Sequence, residues 1–527
     1  MKVHLVQSYP QLAGVAVLVG LFYFIFSAIS RPTSKVPGPW YSKWTDVVFR
    51  YHWFHGRQTV YAHDLHKKYG KLFSPTWTIF TPIHKRHARA KVSKDEDVWL
   101  IDVAHTGPIV RVAPDKVIVA DLDAVKSIYT IKETYRKTNF YKLIISRPIQ
   151  TIFSTSDVDL HRKLRRLMAS QMSESSLKTM MPQIKSHVDL AIQRMKEESK
   201  ARGVIDVFKW SLFMTTDLIG ELSFGESFQM LEKGKKNQYI EDIEDISSVA
   251  AYRVTFPFFF WLADRYSNIL PLFKGKVSIT RRLGEYARQS IGRYQKKVQE
   301  DPANAKQTFV DKMFQAEKDD KITFGDILTN AQTLIVAGSD TTAITLTYLI
   351  WSICKRPDLR DALLKELRTL PGDFTEANLR DLPLFSRTIE ETLRVYPSAP
   401  ALLPRAVPQG GAHIGGYYLS EGTTVAAQAY TMHRDPAIFE NPDVFDPQRW
   451  VNPTNAMKEA FMPFGRGSRG CIGIHLAYIE LRLAAARFLL EFPNARVSAK
   501  EGMSDRDMDS TVYFLMSPKG KRCLIEE

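Results

Sequence analysis

The chain has 527 residues, 44% hydrophobic and 24% charged, which is ample for a large core and by length alone would suggest more than one domain. Its net charge of +15 is not gathered into a dense Lys/Arg block with interleaved aromatics. That excludes a nucleic-acid surface and leaves an acidic protein partner, an anionic membrane or a plain solvated face. The three cysteines, Cys354, Cys471 and Cys523, are odd in number and far apart, so no disulfide framework is implied and a reducing compartment fits. Cys471 and His475 form the only close Cys/His pair, and no second pair completes a zinc site.

Residues 11–29 carry no charge and are long enough to cross a bilayer. No small-residue cleavage site follows, which argues against a signal peptide. Arg31 and Lys35 follow instead, so residues 1–30 are expected to anchor the chain with its body in the cytosol. Prolines make residues 31–40 a stiff hinge. A helix is expected over 44–70 and strands at Ile109–Ala113 and Lys116–Ala120. Between them, 71–107 has no clear period and mixes Trp77, Trp99, several histidines and a basic run, Lys85–Lys94. Loops of that length are uncommon inside compact domains.

Amphipathic helical segments follow from Asp123 to about Glu300. One, 158–171, carries His161, Arg162, Lys163, Arg165 and Arg166, a basic face able to hold an anion or simply to be solvated. The aromatic run Phe256–Trp261 reads as core or as a patch that dips into a membrane. A long helix is expected from Phe324 to Cys354. Its middle, Ala337-Gly338-Ser339-Asp340-Thr341-Thr342, sets a glycine and an acid between apolar flanks. Such breaks of local rules tend to mark functional sites. Gly338 is expected to let a ligand lie against the helix, and Asp340 with Thr341 to relay a proton or position water. The alternative is a back-bonded kink in a core helix. Helices at 357–369 and 384–396 come next; in the second, Glu391 and Arg394 share a face as an i, i+3 pair. Thr511–Met516 reads as strand.

The stretch Phe464-Gly465-Arg466-Gly467-Ser468-Arg469-Gly470-Cys471-Ile472-Gly473 organises the rest. Its glycines allow a tight loop or close approach of a flat ligand. An apolar helical run to about Leu490 follows the cysteine, and a helix N-terminus favours thiolate. A low-pKa sulfur, suited to a nucleophile or a metal ligand, is the local expectation. Gly465, Gly467 and Gly470 also satisfy G-x-G-x-x-G, but 457–464 is not a strand run and no βαβ alternation surrounds it, which excludes a dinucleotide site.

Together these motifs resemble the cytochrome P450 family of haem-thiolate monooxygenases. Phe464-x-x-Gly467-x-Arg469-x-Cys471-x-Gly473 is similar to the haem loop and Ala337–Thr342 to the oxygen-activating segment. Glu391-Thr392-Leu393-Arg394 resembles the glutamate–arginine helix motif and Pro447-Gln448-Arg449-Trp450 the meander, with Gln448 where an acid is common. The hinge Pro37-Gly38-Pro39 looks microsomal, and the overall pattern resembles fungal members that act in secondary metabolism.

The resemblance implies a mainly α fold with a smaller β-rich lobe, residues 41–527, hung on one transmembrane helix in the endoplasmic reticulum and facing the cytosol. It implies haem b (iron protoporphyrin IX) with Cys471 as axial thiolate. Phe464, Gly467 and Gly338 would lie at the cofactor, and Arg469, Arg405 and His161 with Arg165 at its propionates. Asp340 and Thr341 would be the proton relay, and Glu391, Arg394 and Arg449 a structural ion network. Residues about 134–150, 399–402 and 509–514 would line the substrate pocket. The implied reaction is NADPH- and O2-dependent oxidation of a hydrophobic small molecule. Electrons would come from NADPH-cytochrome P450 reductase, with cytochrome b5 as a further donor, since no flavin domain fits in the remaining length. Membrane lipid, and no nucleic acid, is the other partner. A haem-thiolate isomerase, dehydratase or peroxide-driven enzyme, and a non-catalytic haem sensor, are the alternatives. The departure from the pattern is 71–107, which splits Tyr69-Gly70 from Pro108-Ile109. Gly70-Lys71 fits a splice donor and His105-Thr106-Gly107 an acceptor, so the segment reads as a retained intron or a genuine insertion.

Overall fold

A computed structural model describes residues 3–70, 109–144, 150–235, 238–266, 274–301, 307–319 and 321–527. The anomalous 71–107 segment and part of the expected pocket wall, 145–149, lie outside the described residues. The rest is mainly helical with small sheets, as expected.

The helix Phe324–Cys354 is the axis of the fold. It starts at a capping box in which Thr323 Oγ1 accepts from the Asp326 amide (3.1 Å) and Asp326 accepts from the Thr323 amide (2.8 Å). From Thr342 to Cys354 every residue is buried, because apolar side chains cover all sides of the helix and neighbours must cover them in turn. Val207–Phe224, also almost wholly buried, crosses it. At the crossing a Cβ on Gly338 would lie 2.7 Å from Ile219 Cγ1, and Thr215 Oγ1 donates to the Ser339 carbonyl (2.8 Å). Gly338 was expected to make room for a ligand; its bare face is spent on Ile219 instead.

The β-lobe is a five-stranded sheet in the spatial order Ile109–Ala113, Lys116–Val119, Thr424–Ala426, Arg405–Ala406, Arg136–Lys137. Lys116–Val119 and Thr424–Ala426 pair in parallel, the other neighbours antiparallel. The last pairing sets Lys137 directly opposite Arg405. The sequence expectation of one helix over 44–70 becomes two, Val47–Phe54 and Gln58–Tyr69. The expected strand at 511–516 is a hairpin, Ser510–Val512 against Met516–Pro518.

The N-terminal helix runs Val3–Ser30. Its apolar stretch Val15–Ser30 is short, and among the described residues only Phe324–Cys354 is long and apolar enough to cross a membrane, though it is mostly buried in the fold. The hinge is locked by Arg111, whose guanidinium donates to the Val36 (2.8 Å), Pro39 (3.1 Å) and Ser34 (3.3 Å) carbonyls and to Ser42 Oγ (3.1 Å). Five N–H donors in a rigid fork allow one side chain to hold several turns at once. Phe256, Phe258, Phe259 and Trp261 are not core: all four are exposed, on or just before the helix Pro257–Arg265.

Candidate active site

The cysteine loop is closed by its own backbone. The Gly465 amide donates to the Met462 carbonyl (3.1 Å), Gly470 to Gly467 (3.0 Å) and Cys471 to Phe464 (2.9 Å). Gly467 has φ +67°, and a Cβ there would lie 2.5 Å from the Tyr129 carbonyl oxygen. Only glycine meets both demands without strain. The helix Ile474–Glu491 begins three residues after Cys471. Cys471 is exposed while Cys354 and Cys523 are buried, yet protein atoms crowd around it. Burial pushes its thiol above the ordinary range, against the opposing pull of the Gly473 amide and the Arg165 charge. The expected low-pKa sulfur is therefore not produced by the helix end alone. A metal at this sulfur would favour the thiolate, since a coordinating thiol is deprotonated.

Above the loop, the middle of the long helix opens onto space. Ala337 is exposed although the helix on either side is buried, and Gly338, Asp340 and Thr341 are half-buried. Thr341 Oγ1 donates to the Ala337 carbonyl (2.7 Å), which leaves its oxygen lone pairs available as acceptors. Thr342 turns the other way and bonds Glu480 of the cysteine helix. That acid is buried, its second carboxylate oxygen is unpartnered, and burial pushes its pKa up to about 8.

To one side lies a cluster of cations around one acid. Arg469 Nε and Nη2 donate to Glu133 Oε2 at 2.8 and 2.7 Å, and its Nη1 donates to the Thr155 carbonyl (2.8 Å). His161 Nδ1 lies 3.1 Å from Glu133 Oε1. Burial, then the Arg469 charge, lowers the His161 pKa to about 4, so the ring is neutral and donates as an N–H. Arg405 donates to Tyr141 Oη (2.6 Å) and the Pro404 carbonyl (3.0 Å). Lys137 donates to the Phe153 carbonyl, with its ammonium 4.4 Å from the Tyr141 ring centroid. Burial, then the charges of Arg405 and Arg469, drives its pKa well down. Arg165 goes elsewhere: its Nη1 donates to the Gly470 carbonyl (2.8 Å), so it buttresses the cysteine loop.

Behind the loop, Glu391 receives a two-pronged bond from Arg394 (2.8 Å each), and bonds from Arg449 Nε (3.0 Å), Trp450 Nε1 (2.9 Å) and the Asp446 amide (2.8 Å). His433 joins this network to the loop: its Nδ1 faces the Arg394 carbonyl (2.9 Å) and its Nε2 accepts from the Met462 amide (2.9 Å). Burial lowers its pKa to about 3, which keeps it neutral in that role.

The family model for cytochrome P450 matches residues 104–524. This chain belongs to the cytochrome P450 family. Among curated proteins it is similar to cytochrome P450 monooxygenase tazI of Aspergillus terreus, 42% identical over 98% of this chain and 99% of that one. It is 38% identical to cytochrome P450 monooxygenase orf2 of Aspergillus niger, over 99% of both chains. It is 30% identical to cytochrome P450 monooxygenase stcB of Emericella nidulans, over 99% and 92%.

The P450 cofactor, a haem-thiolate iron, fits the residues present. Among the described residues no group of three or more His, Cys, Asp or Glu could hold a bare metal ion. A metal at Cys471 must therefore arrive with ligands of its own, as a porphyrin supplies. The buried cations beside it outnumber their acid, which suits carboxylates on that porphyrin.

Of the P450 positions expected from sequence, Cys471, Phe464, Gly467 and Arg469 share one loop, and Arg405 and His161 converge on it from a strand and a helix. Arg165 sits at the loop's backbone rather than with the carboxylate-binding cations, and Gly338 packs a helix. Two of the expected pocket segments, 134–150 and 509–514, are joined through a residue outside both: Phe140, Tyr141, Phe153 and Phe514 form a chain of edge-to-face rings with centroids 5.4–5.6 Å apart. Sequence reasoning missed Glu133, Lys137, Tyr141, His433, Trp450 and Glu480. Trp450 stood inside a motif already in view, and Lys137 and Tyr141 inside the expected pocket segment 134–150.

Proposed function

We propose that this protein is a membrane-anchored monooxygenase that uses haem b to oxidise a hydrophobic small molecule in fungal secondary metabolism. The observation that carries the reading is the one exposed cysteine, Cys471, in a backbone-closed glycine-rich loop beside the buried cations Arg405 and Lys137. Haem, when bound, supplies the activation of dioxygen. The chain supplies the axial sulfur of Cys471, and the Gly473 amide bonded to that sulfur moderates its donation. Arg469, Arg405, Lys137 and His161 receive the carboxylates. Asp340 and Thr341 stand at the opening of the central helix; with its own proton held by Ala337, Thr341 Oγ1 is set to accept from water or a polar substrate group. The aromatic chain from Phe140 to Phe514 gives the pocket its apolar wall.

Several features support the microsomal setting. The apolar N-terminal helix and the exposed Phe256–Trp261 patch present two hydrophobic surfaces to lipid. Phe54 of the helix Val47–Phe54 packs against the aromatic patch, with its ring centroid 5.8 Å from that of Phe256. Arg162, Lys163 and Arg166 are exposed on the helix whose Arg165 grips the cysteine loop. They offer a positive face to an acidic reductase. Residues 71–107 are read as a retained intron, and a mature transcript carrying their codons would refute that.

The functional test uses membranes that contain the protein and a P450 reductase. NADPH-dependent oxygen uptake is expected. Thr341→Ala should keep the uptake and lower product per NADPH several-fold; unchanged coupling would reduce Thr341 to a structural hydroxyl bonded back to the Ala337 carbonyl. The compound that accumulates when the gene is deleted identifies the substrate.

A further inference from the structure

Glu133 has no place in the haem reading, yet it holds Arg469 by two N–H groups and lies 3.1 Å from His161 Nδ1. A guanidinium has five N–H groups. Glu133 takes the Nε and one Nη2 proton of Arg469; Nη1 serves the Thr155 carbonyl, and Nη2 also approaches the Asp157 carbonyl at 3.4 Å. One Nη1 proton is left. No second carboxylate can take a two-pronged hold on Arg469 while Glu133 is there.

Two further observations show that this contact is provisional. Glu133 sits at φ +53°, a left-handed backbone that a non-glycine residue adopts at a cost. Its loop is a surface loop: Ile131 and Lys132 are exposed on one side and Thr134 on the other. Its one negative charge also faces more cation than it can balance. Lys137 and Arg405 are direct partners across a strand pair, and like charges so placed repel. Both Arg405 and Lys137 are buried, and among the described residues neither has a carboxylate of its own.

We propose that Glu133 is an internal stand-in carboxylate, which holds Arg469 and His161 together in the cofactor-free chain and releases Arg469 to a carboxylate of the cofactor on loading. This rests on the haem reading given above. Glu133 then competes with haem for Arg469 and does not help to retain it. The exchange is of one carboxylate for another on the same guanidinium, so no covalent bond changes.

The test is the rate at which full-length, haem-loaded protein loses its cofactor to excess apomyoglobin, followed by visible absorbance. Glu133→Gln keeps the shape and removes the charge; Glu133→Asn also removes it and suits the left-handed backbone. Haem loss several-fold slower than in the parent is expected for both. Unchanged or faster loss, or failure of both variants to hold haem at all, would overturn the proposal. Faster loss would make Glu133 an orienting residue for Arg469. A parent protein without the spectrum of thiolate-ligated haem would instead refute the haem reading itself, before any rate is compared.

Discussion

Glu391 and Glu133 are both buried acids beside arginines, but they sit in opposite electrostatic situations. Glu391 is fully buried and every lone pair has a donor, while Arg394, equally buried, spends its remaining protons on the His433 (2.8 Å), Pro442 (2.6 Å) and Val444 (3.0 Å) carbonyls. Hydrogen bonds close within the protein there, although Arg449 sets a second cation on the same acid. Around Glu133 they do not close. Arg405 and Lys137 face each other across two strands, bonded to the Tyr141 hydroxyl and to backbone carbonyls, and among the described residues neither has a carboxylate in ion-pair contact. The first arrangement is a fastener; the second is a seat. A buried polar cluster that is satisfied rigidifies a fold, and one left with surplus charge selects a ligand.

The sharpest way to break this comparison is to remove the acid from the closed site. Glu391→Ala leaves Arg394 buried and unpaired, and should cost about 3–5 kcal/mol. Little folded protein should survive, as judged by thermal melting and by yield of haem-loaded enzyme. Removing a cation from the open site should do the reverse. Arg405→Gln relieves Lys137 of a like charge, so melting of the cofactor-free chain should change by less than about 1 kcal/mol. Haem loss, however, should accelerate about tenfold, on the order of 1.4 kcal/mol of lost binding. If Arg405→Gln unfolded the protein as Glu391→Ala does, the distinction between fastener and seat would fail.

Glu480 sharpens the comparison from a third side, as a buried acid with no cation on it. Its folded pKa of about 8 lies above the ordinary carboxyl value of 4.5. The folded state therefore keeps a proton that the unfolded state releases, and stability falls as pH rises from the ordinary carboxyl range to about 8. Glu480→Gln should raise the melting temperature by a few degrees at alkaline pH and leave it unchanged near the carboxyl range. An equal shift at both ends would contradict the burial argument.

Much of this was legible in the sequence because it is local. The Gly-rich approach to Cys471, the acid beside two threonines at 340–342 and the i, i+3 pair Glu391/Arg394 each lie within one turn or loop. The helix Phe324–Cys354 has the bounds that its apolar pattern sets. What was not legible depends on faces and on distant partners. No period in the sequence says that the bare side of Gly338 meets Ile219. Lys137 and Arg405 become neighbours only through strand register. Glu133 reaches Arg469 from the loop that precedes Arg136–Lys137, and His433 reaches Met462 across the fold. The Phe256–Trp261 run looked like core because composition cannot tell a covered aromatic from one turned outward. The sulfur was expected to be acidic from its place near a helix end, and burial reverses that sign.

The central claim is that Cys471 is the axial sulfur of a haem. The direct measurement is the difference spectrum of the reduced protein with and without carbon monoxide, for the parent and for Cys471→Ser and Cys471→Ala. The parent should give the red-shifted Soret band of thiolate-ligated haem, and both variants should lose it. A parent spectrum without that band, or variants that retain it, would contradict the account.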